Sequence, residues 1–123
     1  MLYIIANPLA GGGKGKETAA LIEKELKRRN VPHILEYTGY RGHAAELARK
    51  ASHSEAQAIV ALGGDGTFFE VLNGMEGANK PLGLISAGTG NDFIRSAAIS
   101  DDPVKALDTI LLGNTRRIDC INV

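Results

Sequence analysis

Along this chain, short continuous apolar runs alternate with stretches in which apolar residues return every three or four positions. The first pattern suits strands covered on both faces, and the second suits one face of a helix. Leu2–Ala6 is expected to be a strand, stopped by Asn7-Pro8 because proline cannot donate to a ladder and restricts its predecessor. A flexible glycine-rich loop is expected over 9–15, then a helix from about Glu17 to about Arg29 with Ala19, Ile22 and Leu26 on its inner face. Glu23–Lys27 and Glu25–Arg29 read as favourable i,i+4 pairs on its outer faces. Asn30 and Pro32 end it. A strand over His33–Tyr37, an exit at Thr38-Gly39 and a helix over His43–Ser52 come next, with Ala44, Leu47, Ala48 and Ala51 inward.

The stretch 58–72 is the centre of the pattern. Residues 58–62 form an apolar strand, Gly63, Gly64 and Gly66 surround Asp65, and Phe68, Val71, Leu72 and Met75 then fall at helical spacing. After a polar loop, residues 82–85 read as a fourth strand, and 87–93 as a second glycine loop opening a short helix that ends near Ala98. Asp102-Pro103 is a strong helix start, an acidic N-cap before proline at the first helical position. Val104, Leu107 and Ile110 or Leu111 supply that helix's buried stripe, and 116–123 reads as a last strand. The order βα, βα, βα, βα(α), β predicts an α/β fold, a three-layer αβα arrangement around a mostly parallel sheet. No repeat or linker divides it, so the 123 residues read as one domain.

Composition narrows the functional classes. Lys+Arg and Asp+Glu balance at 14 each, which leaves no electrostatic footprint for nucleic acid or an anionic membrane. Cys120 is the single cysteine, so no internal disulfide can form and a cytoplasmic location is expected. No apolar run approaches the ~18 residues of a membrane span. His33, His43 and His53 have no metal-ligand spacing with Cys120.

Three loops carry the candidate chemistry: 7–13, 63–67 and 88–92. In an open parallel sheet they lie at one edge, outside the carboxyl ends of the strands, where ligands bind. Each joins glycines to a small hydroxyl, amide or carboxylate side chain, so together they could surround a polyphosphate with backbone N–H donors. Asp65 could hold Mg²⁺ directly or through water, or act as a base. Taken singly, each loop reads equally well as a tight turn. Standard fingerprints fail: Gly15-Lys16 is followed by Glu17, and Gly88 and Gly90 are followed by Phe93.

Gly63-Gly64-Asp65-Gly66-Thr67, with Glu70 and Asn73-Gly74, resembles the signature of the diacylglycerol kinase catalytic domain, whose relatives include bacterial lipid kinases and sphingosine and ceramide kinases. Asn7-Pro8 with its glycines resembles that family's first nucleotide loop, Thr38 with His43-Ala44 its second, and Gly88-Thr89-Gly90-Asn91-Asp92-Phe93 with Arg95 its third. Gly-Gly-Asp-Gly-Thr alone is shared with NAD kinases and resembles phosphofructokinases; the third element favours lipid kinases.

The resemblance implies ATP binding by Asn7, Pro8, Leu9, Ala10, Gly11, Thr38, Gly64, Asp65, Gly66, Thr67, Phe68, Phe69, Glu70 and Thr89, with Mg²⁺ as cofactor and Asp65 as the candidate catalytic residue. It implies a two-part protein in which a β-sandwich domain beyond this one holds the lipid pocket, a metal site and the general base. Arg117-Ile118-Asp119 resembles the crossover between the parts, so the chain reads as the first domain of a longer lipid kinase, inactive alone. The implied partners are ATP, a lipid acceptor such as diacylglycerol through the second domain, and a peripheral membrane contact; a first domain standing alone would also expose the face that met the second, around Leu111, Leu112 and the last strand, and self-association through it is expected. The alternatives are an NAD kinase-like enzyme and a non-catalytic nucleotide-binding module.

Overall fold

The computed structural model describes residues 1–87 and 103–111. Among them, β1 (Leu2–Ala6), β2 (His33–Tyr37), β3 (Ala58–Gly63) and β4 (Leu82–Ser86) form one all-parallel sheet in the order β2-β1-β3-β4. The helices are α1 (Lys14–Arg28), α2 (His43–Ser52), α3 (Asp65–Gly74) and α4 (Pro103–Leu111). The predicted α/β architecture is therefore the observed one. The expected last strand, the short helix after Gly90, Leu112 and Cys120 lie outside the described residues.

Strand alternation distributes the core. Leu2, Ile4, Ala6, Ala58, Val60, Leu62 and Ile85 meet α1 and α4 on one face. Tyr3, Ile5, Ile59, Ala61, Leu82 and Leu84 meet α2 and α3 on the other. The chain travels one way in the sheet from β1 to β2 and the opposite way from β2 to β3 and on to β4. A crossover of constant hand must then switch faces when the direction reverses. That reversal puts α1 on one side of the sheet and α2 and α3 on the other.

Three glycines set how closely these layers approach. A Cβ on Gly15 would overlap the Asn7 carbonyl, one on Gly74 would overlap the Ala45 carbonyl and reach 2.7 Å from the Ala48 Cβ, and one on Gly83 would come 2.6 Å from Ile110 Cδ1. They seat α1 on the end of β1, α3 on α2, and α4 on β4.

Several boundaries differ from the sequence expectation. α1 begins at Lys14 rather than near Glu17, because Gly13, at φ 101°, turns the chain straight into the helix. The loop before it is a hydrogen-bonded turn: Ala10 N–H donates to Asn7 O and Gly13 N–H to Leu9 O. β3 extends to Gly63 and β4 to Ser86, where they pair with each other. Leu72 is only half-buried, and in α4 Ala106 rather than Val104 joins Leu107 and Ile110 in the core. Leu111 packs partly buried against the core.

The surface of α1 also differs. Glu25 pairs with Arg29 at 3.0 Å as expected, and with Arg28 as well. Hydrogen bonds from Arg28 and then Arg29 pull its carboxyl pKa down to about 2. Glu23 reaches His33 Nε2 at 3.4 Å rather than Lys27, because β2 begins beside it. Arg29 crosses to Asp108 at 2.6 Å and ties α1 to α4.

One polar group crosses the core boundary. Tyr3 is 2% exposed, and its hydroxyl donates to Glu36 Oε1 at 2.8 Å. Burial first, then the Glu36 hydrogen bond and charge, raise its pKa from 10.0 to about 12. A phenol whose folded pKa is raised is stabilising below its unfolded pKa and loses that contribution as pH rises through the folded value. Stability against urea should therefore fall from about pH 10 to about pH 12, and Tyr3→Phe should remove the part of that decline that belongs to this group.

Replacing Gly74 with Ala should destabilise the fold by about 1–3 kcal/mol, since the new methyl has no space between α2 and α3. A midpoint in urea unchanged from the parent protein would show that α2 and α3 can separate freely.

Candidate functional site

All four strands end in register. Ala6 pairs with Tyr37 on one side and Leu62 on the other, and Gly63 pairs with Ser86. The ladder continues one residue further: Thr38 N–H donates to Ala6 O at 2.8 Å, Asn7 N–H to Leu62 O at 3.0 Å, and Ala87 N–H to Gly63 O at 3.1 Å. Asn7, Thr38, Gly64 and Ala87 thus start their loops from one line. Within that line, β1 and β3 are neighbours whose chains leave toward opposite faces, into α1 and α3. This is the switch point of an open α/β sheet, where the diverging loops leave a crevice.

The two loops that flank the crevice differ in what they offer. In the first, Asn7 Oδ1 accepts from the Leu9 N–H at 3.0 Å, an Asx turn. Gly15 N–H donates to Ala10 O at 2.9 Å and Lys16 N–H to Pro8 O at 3.1 Å. The start of α1 is therefore satisfied by its own loop. Gly11 and Gly12 hold positive φ at its tip. Ala10 packs partly buried against the core, while Leu9 is 79% exposed.

The second loop is almost entirely the first turn of α3. Gly64 is its N-cap, with no side-chain cap, and Asp65 is its first residue. The Phe68 N–H donates to Gly64 O at 3.1 Å. The earlier N–H groups of Asp65, Gly66 and Thr67 have no acceptor within the helix, and the helix dipole adds positive potential there. Gly63 lets Thr67 fold back against the strand end, since a Cβ would come 2.6 Å from Thr67 Oγ1. Among the described residues, Oδ1 of Asp65 is the buried side-chain atom that finds no hydrogen-bond partner. At Gly66, a Cβ would meet nothing within 4 Å among them. The glycine is not required there by packing against them.

Most of the predicted residues converge on this edge. Asn7, Pro8, Leu9, Ala10 and Gly11 lie on the β1 side, Gly64, Asp65, Gly66 and Thr67 on the β3 side, and Thr38 next to the end of β1. Phe68 is different: its ring is buried in the core under α3, so only its backbone can face the crevice. Phe69 stands outside it at 45% exposure, edge-on to Phe68. Glu70 turns toward α2, where its Oε1 accepts from the Gly42 N–H at 3.1 Å. Thr89, with the rest of the 88–92 loop and Arg95, lies outside the described residues.

Sequence reasoning missed how the loop after β2 is held. Gly39 N–H donates to His43 Nδ1 at 2.8 Å, the Tyr40 and His43 rings stack at 4.4 Å, and the Tyr40 hydroxyl donates to Glu46 at 2.7 Å. The glycine four residues before His43 was the available sign. Gly15 was also read as loop flexibility, although it is a close-packing position.

A second concavity, about 450 Å³, opens at the other end of α2 and α3, lined among others by Arg49, His53, Asn73 and Glu76. It sits where those helices end and present carbonyl oxygens, so it lacks the free N–H groups of the crevice. Among the described residues no cluster of three or more His, Cys, Asp or Glu could hold a metal ion. Among them too, no helix is long and apolar enough to cross a membrane.

Known proteins resemble this chain in sequence and in overall fold. The chain is 38% identical to diacylglycerol kinases of Staphylococcus aureus strains JH9 and Newman, covering 94% of this chain and 38% of theirs. It superposes on a crystal structure of a diacylglycerol kinase from Bacillus anthracis str. Sterne with a TM-score of 0.74 and 29% identity, covering 89% of this chain and 40% of that one. The chain thus spans about two fifths of the length of these relatives. The model of the diacylglycerol kinase catalytic domain matches residues 1–123 throughout, and the chain belongs to that family.

Proposed function

We propose that this chain forms the nucleotide half of an ATP-dependent lipid kinase site, in which the γ-phosphoryl group passes to a lipid hydroxyl such as that of diacylglycerol. The observation that carries this reading is the partnerless buried Oδ1 of Asp65 at the open start of α3, on the β1/β3 switch point. A buried carboxylate oxygen without a partner is costly unless something else binds it. Backbone N–H groups and a helix N-terminus beside it suit phosphate.

The reading assigns a role to each element. The N–H groups of Asp65, Gly66 and Thr67 hold phosphate oxygens, and Gly66 leaves the approach clear of a side chain. The tip at Gly11 and the Thr38 loop border the nucleotide from the β1 side, and Thr89 is assigned to it by the family resemblance alone. Phe69 and Leu9 are both exposed. Asp65 suits Mg²⁺, because that ion is commonly held by one or two carboxylates together with substrate phosphates and water rather than by a protein cage. When bound, Mg²⁺ neutralises phosphate charge. The lipid pocket and the general base belong, on this reading, to a second domain in the remaining part of the relatives' length. Catalysis by these residues is positioning and electrostatics, with no covalent step on the protein.

Titration calorimetry with ATP tests this. Binding should need Mg²⁺, and Asp65→Ala should weaken it by about tenfold or more, the usual effect of removing a charged binding group. Gly66→Ala should leave the fold as stable or up to about 1 kcal/mol more stable, as alanine does in a helix, yet weaken ATP binding. Wild-type affinity in Asp65→Ala, with or without Mg²⁺, would sink the assignment.

Transfer of radiolabel from ATP to diacylglycerol by the 123-residue chain alone should stay at background. Robust turnover would refute the division of the site between two domains.

A further inference from the structure

Glu70 lies within the stretch to which the family resemblance assigns ATP binding, yet its carboxylate is engaged elsewhere. The two helices α2 and α3 run side by side, in contact near Gly74, which meets Ala45 and Ala48. One helical turn earlier on the same face of α3 stands Glu70. There its Oε1 accepts from the N–H of Gly42, the N-cap of α2.

That N-terminus lacks a cap of its own. Gly42 has no side chain and holds φ 90°, and no side chain of α2 caps its first turn. In an ordinary capping box a Glu three residues into the helix reaches back to the N-cap N–H. In α2 that position is Ala45, and the nearest candidate, Glu46, is turned to the Tyr40 hydroxyl. A carboxylate from another helix has taken the place. It also sets a negative group at the positive end of α2.

The remaining side-chain bonds of the 38–43 loop, from Gly39 to His43 and from Tyr40 to Glu46, are internal to that loop and α2. The Glu70–Gly42 bond instead joins the loop to the helix whose first turn carries Asp65 and Thr67.

We propose that Glu70 is a positioning residue: from α3 it caps α2 and fixes the Thr38 loop in register with the Asp65 turn, without touching nucleotide or metal. This rests on the nucleotide reading for its consequence, though not for the contact itself. Glutamine preserves the acceptor and removes the charge, whereas alanine removes both. The two variants therefore separate a strut from a ligand.

The experiment is amide hydrogen exchange on the 123-residue chain and its Glu70→Ala and Glu70→Gln variants without nucleotide, followed by calorimetric titration of each with MgATP. In Glu70→Ala the amides of residues 39–43 should exchange about tenfold faster, with ATP binding weakened several-fold. Glu70→Gln should keep both within about twofold of the parent chain. Adding Glu70→Ala to Thr38→Ala should weaken binding by less than the two separate effects combined, because both act through one loop.

Unchanged exchange over 39–43 in Glu70→Ala overturns the proposal. So does a Glu70→Gln variant that binds ATP as poorly as Glu70→Ala while its loop stays protected, which would mark a charged ligand. If the parent chain binds no ATP, the nucleotide reading fails, and the exchange data alone still decide whether Glu70 holds the loop.

Discussion

Burial of β1 and β3 on both faces is the constraint from which the rest of this structure follows. Both strands are apolar along their whole length, and every residue of each is buried. Such strands need helices on two sides, and parallel pairing forces each connection to cross over from one end of the sheet to the other. With one hand for every crossover, the chain must leave β1 and β3 toward opposite faces. The crevice between their loops is a consequence of that topology. It exists before any residue in it is chosen, and residue choice then decides what it can hold.

The glycines divide by purpose once the packing is known. Gly15, Gly74 and Gly83 are places where one element touches another too closely for a Cβ. Gly12, Gly13 and Gly42 hold backbone conformations that L side chains rarely adopt. Gly66 belongs to neither group among the described residues, and it stands beside the partnerless oxygen of Asp65. That contrast separates Gly66 from the packing and turn-making glycines better than any count of glycines. It also separates the two flanking loops: the 9–13 loop uses its carbonyls to satisfy the start of α1, whereas the start of α3 keeps its donors open.

The site is built from single turns carried on rigid elements. Asp65 and Thr67 ride on α3, α3 lies against α2 through Gly74, and α2 fixes the loop after β2. Family membership and overall fold agree for this chain. They bear on different questions: the family match says what the chain is related to, and the geometry shows which side chains are already engaged within the fold.

How much of this could be read from the chain depended on whether the cause was local. Strand runs, helix stripes and the order of elements were legible because burial on one or two faces imposes a period on the sequence. The strand-to-helix turn over 63–65 was legible too, because glycines break the apolar run of β3 just before the helical spacing of α3 begins. The helix start at Lys14, the absence of Val104 from the core of α4, and the Glu23–His33 pair were not. The helix start depends on Gly13 taking a left-handed backbone conformation just before it, and the pair on a neighbour distant in sequence, the beginning of β2 beside α1. The same holds for Glu70, which in sequence is one more charged residue on a helix. Sequence alone determined the layers, the edge and the loops, because periodicity records which faces are buried. Only the tertiary structure decided which donors stay open and which carboxylate is engaged, because hydrogen-bond partners are set by where separate elements meet.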